Sequence, residues 1–461
     1  MPGSVIPAGA GGSYFDHRRN RSEHKYTMDR KNIGIIGGGA SGLMAAITAA
    51  EAGASVTLIE HMDRVGKKIL STGNGRCNLT NYRMEPDCYR CSQPDFPMRV
   101  IGGFDVEATL DFFKALGVVP KDRGGYVYPN SDQAASVLDV LRFRVEQLGV
   151  KVLLACHVSN IRPKAKGGFL IVTDQGKHHM DAVILAAGGK GGPPLGYRLI
   201  QCGKAPPAWG SAGSGYDLAG GLGHRVIKPL PALVQLRCQG NLYKQLAGIR
   251  TDAGIRLMVD GVCAAQERGE LQLTDYGLSG IPVFQVSRYA ARALDQGKNV
   301  RAYIDFMPSW EEKESFRLLK RRAKMLGEKP VGELFTGMLN RKLAQVLLKR
   351  SGAEPSMVCR SLGNRQLERI MGQLKGYEAI IMSVNPFANA QVCCGGVDTR
   401  EVDPATMESK KWPGLYLAGE LLDVDGICGG YNLQFAWSSG RIAGWCAAGM
   451  GNAAQKEGGY I

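Results

Sequence analysis

Two periods alternate along the chain, and the switches between them outline its elements. Ile33-Gly34-Ile35-Ile36 is a β-branched run of the kind that fills a buried strand. An Ala-rich helical pattern follows to about Ala52, and Ser55-Val56-Thr57-Leu58-Ile59 predicts a second strand ending on Glu60. Helical spacing returns over Asp105–Leu116 and Asp132–Leu148; in the second, Ala134, Ala135, Leu138, Leu141, Val145 and Leu148 lie on or near one stripe. Ser131 is placed to cap that helix. Short strands are predicted at Val150–Leu154 and Phe169–Thr173, and Ala182–Ala187 reads as a buried strand running into Gly188-Gly189.

A Gly/Pro-rich connection, Gly189–Gly215, breaks this rhythm. From about 225 to 305 short β-like runs alternate with turn residues, among them Leu233–Arg237, Ile255–Val259, Glu270–Thr274 and Val300–Ile304. From 309 to 380 the pattern is helical. After 390 the first signature returns, with a strand at Leu415–Ala418 and a last helix over about Asn432–Ala447. The expected fold class is therefore α/β, a discontinuous Rossmann-type nucleotide-binding domain interrupted by a β-rich and then a helical region. The expected boundaries are an extension at 1–29, a first nucleotide-binding part at 30–195, a β-rich insertion at 196–308, a helical region at 309–380, a second part at 381–450, and a tail at 451–461.

Composition narrows the picture. The chain has 461 residues, more than one ordinary core, and is 44% hydrophobic and 21% charged. No apolar run reaches the roughly 18 residues of a membrane span. The first 27 residues carry Arg18, Arg19, Arg21 and Lys25 with no apolar stretch, which does not describe a secretory signal, and Met28 is the expected start. Twelve cysteines are scattered without metal spacing, and Cys88-Tyr89-Arg90-Cys91 lacks a second pair or a histidine partner. Free thiols in a reducing cytoplasm fit this better than a disulfide framework. The net charge is +15, and many of the basic residues fall in Lys313–Lys375, including Lys320-Arg321-Arg322 and Lys324. This is either a solvated helical face or a surface for an anionic partner such as RNA or a coenzyme A ester.

The chemistry begins at Gly37-Gly38-Gly39-Ala40-Ser41-Gly42, between the first strand and the first helix. There Gly37 allows a tight turn, Gly39 lets backbone approach a pyrophosphate, and Gly42 lets helix pack on strand. The helix N-terminus offers free N–H groups to phosphate. Glu60 closes the second strand, where a carboxylate takes ribose hydroxyls. The run Gly66-Lys67-Lys68 to Asn81, dense in Gly and Asn, points to backbone held close to a ligand. Near the end come Gly419-Glu420 and then Gly426-Ile427-Cys428-Gly429-Gly430-Tyr431-Asn432, which opens the last helix and suits a partial negative charge such as the N1–O2 edge of a reduced flavin.

These runs resemble the family of FAD-dependent oxidoreductases that includes the bile-acid-inducible N flavoprotein, a ribosomal-RNA dihydrouridine synthase and an aminoacetone oxidase. The resemblance covers nearly all of 30–450. It rests on Gly75-Arg76-Cys77-Asn78, on Cys394-Gly395-Gly396-Val397 before Asp403-Pro404, and on Gly429-Gly430-Tyr431-Asn432-Leu433-Gln434. It implies a two-part FAD domain with an inserted β-barrel-like region and a helical region. By position it implies that Gly37, Gly38, Gly39, Ala40, Ser41, Gly42 and Glu60 hold the ADP half of FAD. Lys67, Lys68, Gly75, Arg76 and Cys77 would lie along the flavin, and Gly188, Gly419, Glu420 and Asn432 would complete the contacts. Two departures from the family pattern stand out: Cys393-Cys394 stand where many relatives have Thr-Ala, and Lys190–Pro207 forms a longer link than usual, beside which the substrate mouth is expected.

In such an enzyme the flavin carries the hydride chemistry and the protein supplies position, electrostatics and a proton. The candidates for a catalytic side chain are Cys77, Tyr431 and Arg76, with Cys394 behind them. Each has a plainer reading: Cys77 as a buried packing residue, Tyr431 as a wall of the site, Arg76 as an ion-paired scaffold residue. The seven histidines (His17, His24, His61, His157, His178, His179, His224) form no evident constellation, and neither a Ser-His-Asp arrangement nor a metal set is read. A second nicotinamide domain is not evident, so NAD(P)H is expected as a transient reductant. The leading expectation is reduction of a conjugated C=C in a small-molecule enone, a 3-oxo-Δ4 or Δ4,6 bile-acid steroid, free or as a CoA ester. The alternatives are reduction of uracil C5=C6 in ribosomal RNA, an amine oxidase, and a flavin-stabilised binding protein without catalysis.

Overall fold

The computed structural model describes residues 30–191 and 214–451. The N-terminal extension, nearly all of the C-terminal tail and most of the 190–207 link, with the substrate mouth expected beside it, lie outside the described residues.

A five-stranded parallel sheet organises the nucleotide-binding part, in the order Leu415–Leu417, Ala182–Leu185, Asn32–Ile36, Ser55–Ile59, Lys151–Leu153. Ile33 sits opposite both Ala182 and Val56, so the strand leading into the glycine turn is central. A strand flanked on both edges and both faces must be apolar throughout, which is why its sequence shows no alternation. The helix Ala40–Glu51 is buried from Ser41 to Ala49, because sheet and closing helix Tyr431–Ala447 cover it on opposite sides. Small residues permit that approach. A Cβ on Gly440 would lie 2.4 Å from the Ser41 carbonyl oxygen, and one on Gly444 2.5 Å from that of Ala45.

The insertion is a closed six-stranded barrel with its own hydrophobic core. Its strands, in barrel order, are Leu236–Cys238, Gly277–Gly280, Val262–Leu273, Arg250–Val259, Val300–Asp305 and Tyr377–Val384. The last of these straddles residue 380, so the boundary expected there cuts a barrel strand. The run Leu233–Arg237 is mostly a connection; the strand it contributes begins at Leu236. The region also holds a helix that its β-like pattern concealed, Ile281–Asp295, which buries Val283, Val286, Ala290 and Ala293. Helices Glu312–Leu326, Arg341–Arg350 and Asn364–Lys375 follow and pack against the same core. Arg322 spends its guanidinium on the carbonyls of Leu334 and Thr336 (2.8 and 2.9 Å), so it is a structural clamp inside the basic run.

Ser131 does not cap the second predicted helix. That helix spans Ala134–Gln147 with Gln133 at its N-cap, while the Ser131 hydroxyl bonds Ser136 Oγ and accepts the Gln133 N–H. The extra turn residue, Asp132 at φ 52°, moves the helix start past Ser131.

Candidate functional site

Three glycines of the first turn meet different surroundings. Gly37 has φ 104°, and a Cβ there would lie 2.4 Å from the Ala186 carbonyl oxygen; one on Gly42 would lie 1.8 Å from that of Gly37. A Cβ on Gly39 would meet nothing within 4 Å. Gly37 and Gly42 therefore answer to internal packing, whereas Gly39 faces open space at the N-cap of a helix with no side-chain cap. The first N–H groups of that helix have no intrahelical partner and point into the same space.

Glu60 is buried against this turn. Its Oε2 accepts the Gly38 N–H at 2.6 Å and its Oε1 accepts the Met62 N–H at 2.9 Å, with His61 Nδ1 also 2.9 Å away. Burial alone would raise its pKa, but the hydrogen bonds from His61, Met62 and Gly38 outweigh it and hold the carboxyl below its usual range. Glu60 is thus ionised and fixed at the turn.

The two later glycine-rich runs, some 350 residues apart in sequence, come together. The backbone of Gly73, Asn74, Gly75 and Cys77 is left-handed (φ 56°, 56°, 84° and 59°) and leads into a strand, Thr80–Asn81, that lies against the start of the closing helix. Asn81 Nδ2 donates to the Gly429 carbonyl (3.1 Å), Thr80 Oγ1 to Gln434 Oε1 (2.6 Å), and Trp437 Nε1 to the Leu79 carbonyl (3.1 Å). Gly430, at φ 94°, is the N-cap and has no side chain to cap the helix. Gly419 packs on Ser41: a Cβ would come within 2.4 Å of Ser41 Oγ. Gly188, also left-handed, lies just past the end of the Ala182–Leu185 strand.

The polar side chains named from sequence prove largely engaged. Lys68 pairs with Glu420 at 2.5 Å, and the other Glu420 oxygen accepts the Cys393 N–H at 3.0 Å, so this pair joins the two halves of the domain. Buried Lys67 pairs with Asp63. The Asn432 amide bonds Gly426 twice, accepting its N–H at 2.8 Å and donating to its carbonyl at 2.9 Å. It clips the Gly426–Gly430 loop.

The catalytic candidates separate in the same way. Cys77 is fully buried, and burial pushes its thiol up to about 12, which leaves no thiolate at neutral pH. Tyr431 is 4% exposed, and burial raises its pKa. Its ring stacks edge-on against Tyr89 at 5.9 Å, and the Tyr89 hydroxyl donates to its carbonyl. Arg76 is exposed, near enough for Tyr128 and Asp132 to feel its charge. Burial also raises the Cys394 thiol.

Two features escaped the sequence. The first is a cleft between the barrel helix Ile281–Asp295 and the strand Val424–Gly426, lined by Arg90, Leu233, Gln285, Arg288, Asp425 and Ile427. Arg288 grips Asp425 there, with Nε 2.7 Å and Nη2 2.9 Å from the two carboxylate oxygens. The second is a Ser-His-acid chain: His224 Nδ1 lies 2.9 Å from Glu401 Oε2, and Nε2 lies 2.9 Å from Ser409 Oγ. A carboxylate only accepts, so Nδ1 carries the proton and Ser409 donates to Nε2. Ser409 Oγ also accepts the N–H groups of Lys411 and Trp412, and the residue is 5% exposed. The hydroxyl is saturated and buried, so this chain is a structural clip. Among the described residues no cluster suited to a metal ion is found, and no helix is long and apolar enough to cross a membrane.

The glycine turn at Gly39 and the start of the closing helix at Gly430 thus present two helix N-termini without side-chain caps. The family described as HI0933-like protein, Rossmann domain, matches residues 31–446. The chain is 44% identical over 418 residues to a 3-dehydro-bile acid delta(4,6)-reductase of Clostridium scindens, spanning 90% of this chain and 98% of that one. It is 28% identical over 411 residues to a ribosomal RNA dihydrouridine synthase of Haemophilus influenzae, spanning 88% and 95%. Among solved structures, a 3-ketosteroid-delta4-(5alpha)-dehydrogenase of Rhodococcus jostii aligns over 93% of this chain and 99% of that one, at 16% identity and a TM-score of 0.43. The chain belongs to the HI0933-like family and is an oxidoreductase of the flavoprotein type.

Proposed function

We propose that this protein is an FAD-dependent ene-reductase that saturates a C=C conjugated to a carbonyl in a steroid of the 3-oxo-Δ4,6 bile-acid type, with a reduced nicotinamide nucleotide as the source of electrons. The observation that carries this reading is the 44% identity to the Clostridium scindens reductase across 98% of that protein's length.

When bound, FAD supplies hydride transfer at its N5 position. The chain's own part is binding and electrostatics. Open space at Gly39 and the uncapped start of Ala40–Glu51 receive the pyrophosphate. The uncapped start of Tyr431–Ala447 favours negative charge beside it. The Lys68–Glu420 pair holds the two halves of the domain in register. Cys77 and Tyr431, buried and protonated at neutral pH, shape the wall.

The test is to reduce the purified protein with NADH without oxygen, add a 3-oxo-Δ4,6 bile-acid enone, and follow the flavin band. Fast return of the oxidised spectrum supports the proposal; colour that returns only on admitting air removes it. An RNA substrate is the second reading, supported by the +15 charge and the exposed Lys320, Arg321 and Lys324. It calls for binding to ribosomal RNA that falls steeply with salt.

A further inference from the structure

Resting on the ene-reductase reading, we propose that the cleft between the barrel helix Ile281–Asp295 and the strand Val424–Gly426 seats the substrate's carbonyl end. Arg288 is the donor to the carbonyl oxygen, and Asp425 is the residue that positions it.

A buried ion pair is a poor device for stability alone, because desolving two charges offsets much of their attraction and apolar replacements often serve as well. Arg288 and Asp425 are 12% and 4% exposed, and they form part of a cavity wall rather than a sealed core. Asp425 takes Nε and Nη2, which fixes the plane of the guanidinium and leaves Nη1 as the nitrogen not engaged with it. The Tyr289 ring, 5.6 Å from the guanidinium carbon, restricts it further. The free space beside the pair is roughly that of one water molecule, room for a carbonyl oxygen and not for the ring behind it. Leu233 and Ile427 are hydrophobic, and Gln285 is occupied in accepting the Cys428 N–H at 2.9 Å. Arg90, which also lines the cleft, donates to the Tyr289 hydroxyl at 2.8 Å. Among the lining residues two guanidiniums thus stand against one carboxylate.

Position connects this cleft to the expected flavin edge. Gly426 ends the strand that carries Asp425, is clipped by Asn432, and begins the loop that delivers Gly430 to the closing helix. When hydride arrives at the β-carbon of an enone, the electron pair of the C=C moves toward the carbonyl and negative charge gathers on its oxygen; a proton from solvent water then adds at the α-carbon. A fixed guanidinium at that oxygen stabilises the charge as it forms. Asp425 keeps the Arg288 pKa raised against the pull of burial, so Arg288 stays charged and acts as a hydrogen-bond donor without giving up its proton.

The experiment uses oxidised, flavin-loaded protein and two saturated probes, a 3-oxo bile acid and its 3-deoxy counterpart, with binding read by calorimetry. The wild type is expected to prefer the 3-oxo probe by about 10–100-fold, the worth of one hydrogen bond to a charged group. Arg288→Ala, and Arg288→Ala combined with Asp425→Asn to avoid an orphaned carboxylate, should lose that preference, while Arg288→Lys should keep part of it. Flavin content and melting temperature report folding. Equal weakening of both probes, or an unchanged preference, overturns the inference. So does a preference that follows the side-chain carboxylate instead of the ketone, tested with the methyl esters. Wild-type protein that is not reoxidised by the enone removes the parent reading and this one together; reoxidation with an unchanged preference in the variants removes this one alone.

Discussion

Gly39 and Gly42 lie one helical turn apart and tolerate a methyl group to opposite degrees. Gly39 has room for a Cβ in open space, whereas Gly42 has the Gly37 carbonyl oxygen 1.8 Å from where a Cβ would sit. Gly39→Ala is therefore expected to fold with an unchanged melting temperature when flavin-free, yet to hold FAD at least about 10-fold more weakly, the cost of displacing one charge-assisted phosphate contact. Gly42→Ala should lose stability before it loses affinity, by about 1–3 kcal/mol, as overpacking does. Thermal melts of the flavin-free variants alongside fluorescence titration with FAD separate the two cases; similar melts would contradict the assignment. At Cys77 the expectation is resistance. A thiol pushed up to about 12 by complete burial should resist iodoacetamide at pH 8 in the folded protein, and Cys77→Ala should keep the reaction rate within about 3-fold, its cost appearing as a packing loss of roughly 1 kcal/mol. Rapid labelling would restore Cys77 as a reactive group. The glycine roles could be read from sequence because spacing alone encodes them. Burial at Cys77 could not, because nothing local marks which residues cover it.

At the level of elements, the strands and helices with one clear period were legible. Val106–Ala115, Phe169–Thr173 and the closing helix fall within a residue of their sequence pattern. The helix Ile281–Asp295 was hidden although Val283, Val286, Ala290 and Ala293 carry helical spacing with Pro282 at its first turn. Its neighbours on both sides are strands, and a β-rich context invites the wrong period. That omission also hid Arg288, because the cleft exists only once this helix is laid against Val424–Gly426. The Gly426–Gly430 loop gives the test at this scale. Asn432→Ala removes two hydrogen bonds to Gly426 and frees the loop, which should cost about 1–3 kcal/mol in stability. Asn432→Asp keeps the acceptor toward the Gly426 N–H and loses the donor, so it should fall between wild type and alanine. Denaturant melts of the three proteins would show that order; an alanine variant as stable as wild type would mean that the loop is held by its glycines alone.

Over the whole molecule, a clip outside the cleft lining contributes to how stability responds to acid. His224 joins Glu401 and Ser409, tying the segment before Val226–Ala232 to the chain around 401–409. Burial lowers the His224 pKa; Glu401 pulls it up, and Lys411 adds to the lowering. Below pH 6.5 the unfolded chain binds a proton at this histidine before the folded one does, so stability falls as the pH drops from 6.5 toward the depressed folded value. Above 6.5 both states are neutral and the clip contributes fully. Asp425 runs the other way. Burial raises it to about 6 despite Arg288, so the folded state takes up a proton there first, and stability from this group rises as the pH falls through 6. The two slopes oppose each other once the pH falls below about 6, where both groups take up protons. His224→Gln removes one slope and keeps the other. Its melting temperature should lie below wild type at pH 7.5, where the clip is lost, and should rise toward wild type on acidification to pH 5.5. A variant whose deficit is the same at both values would show that His224 holds its partners by shape, and that its protonation does not bear on the fold.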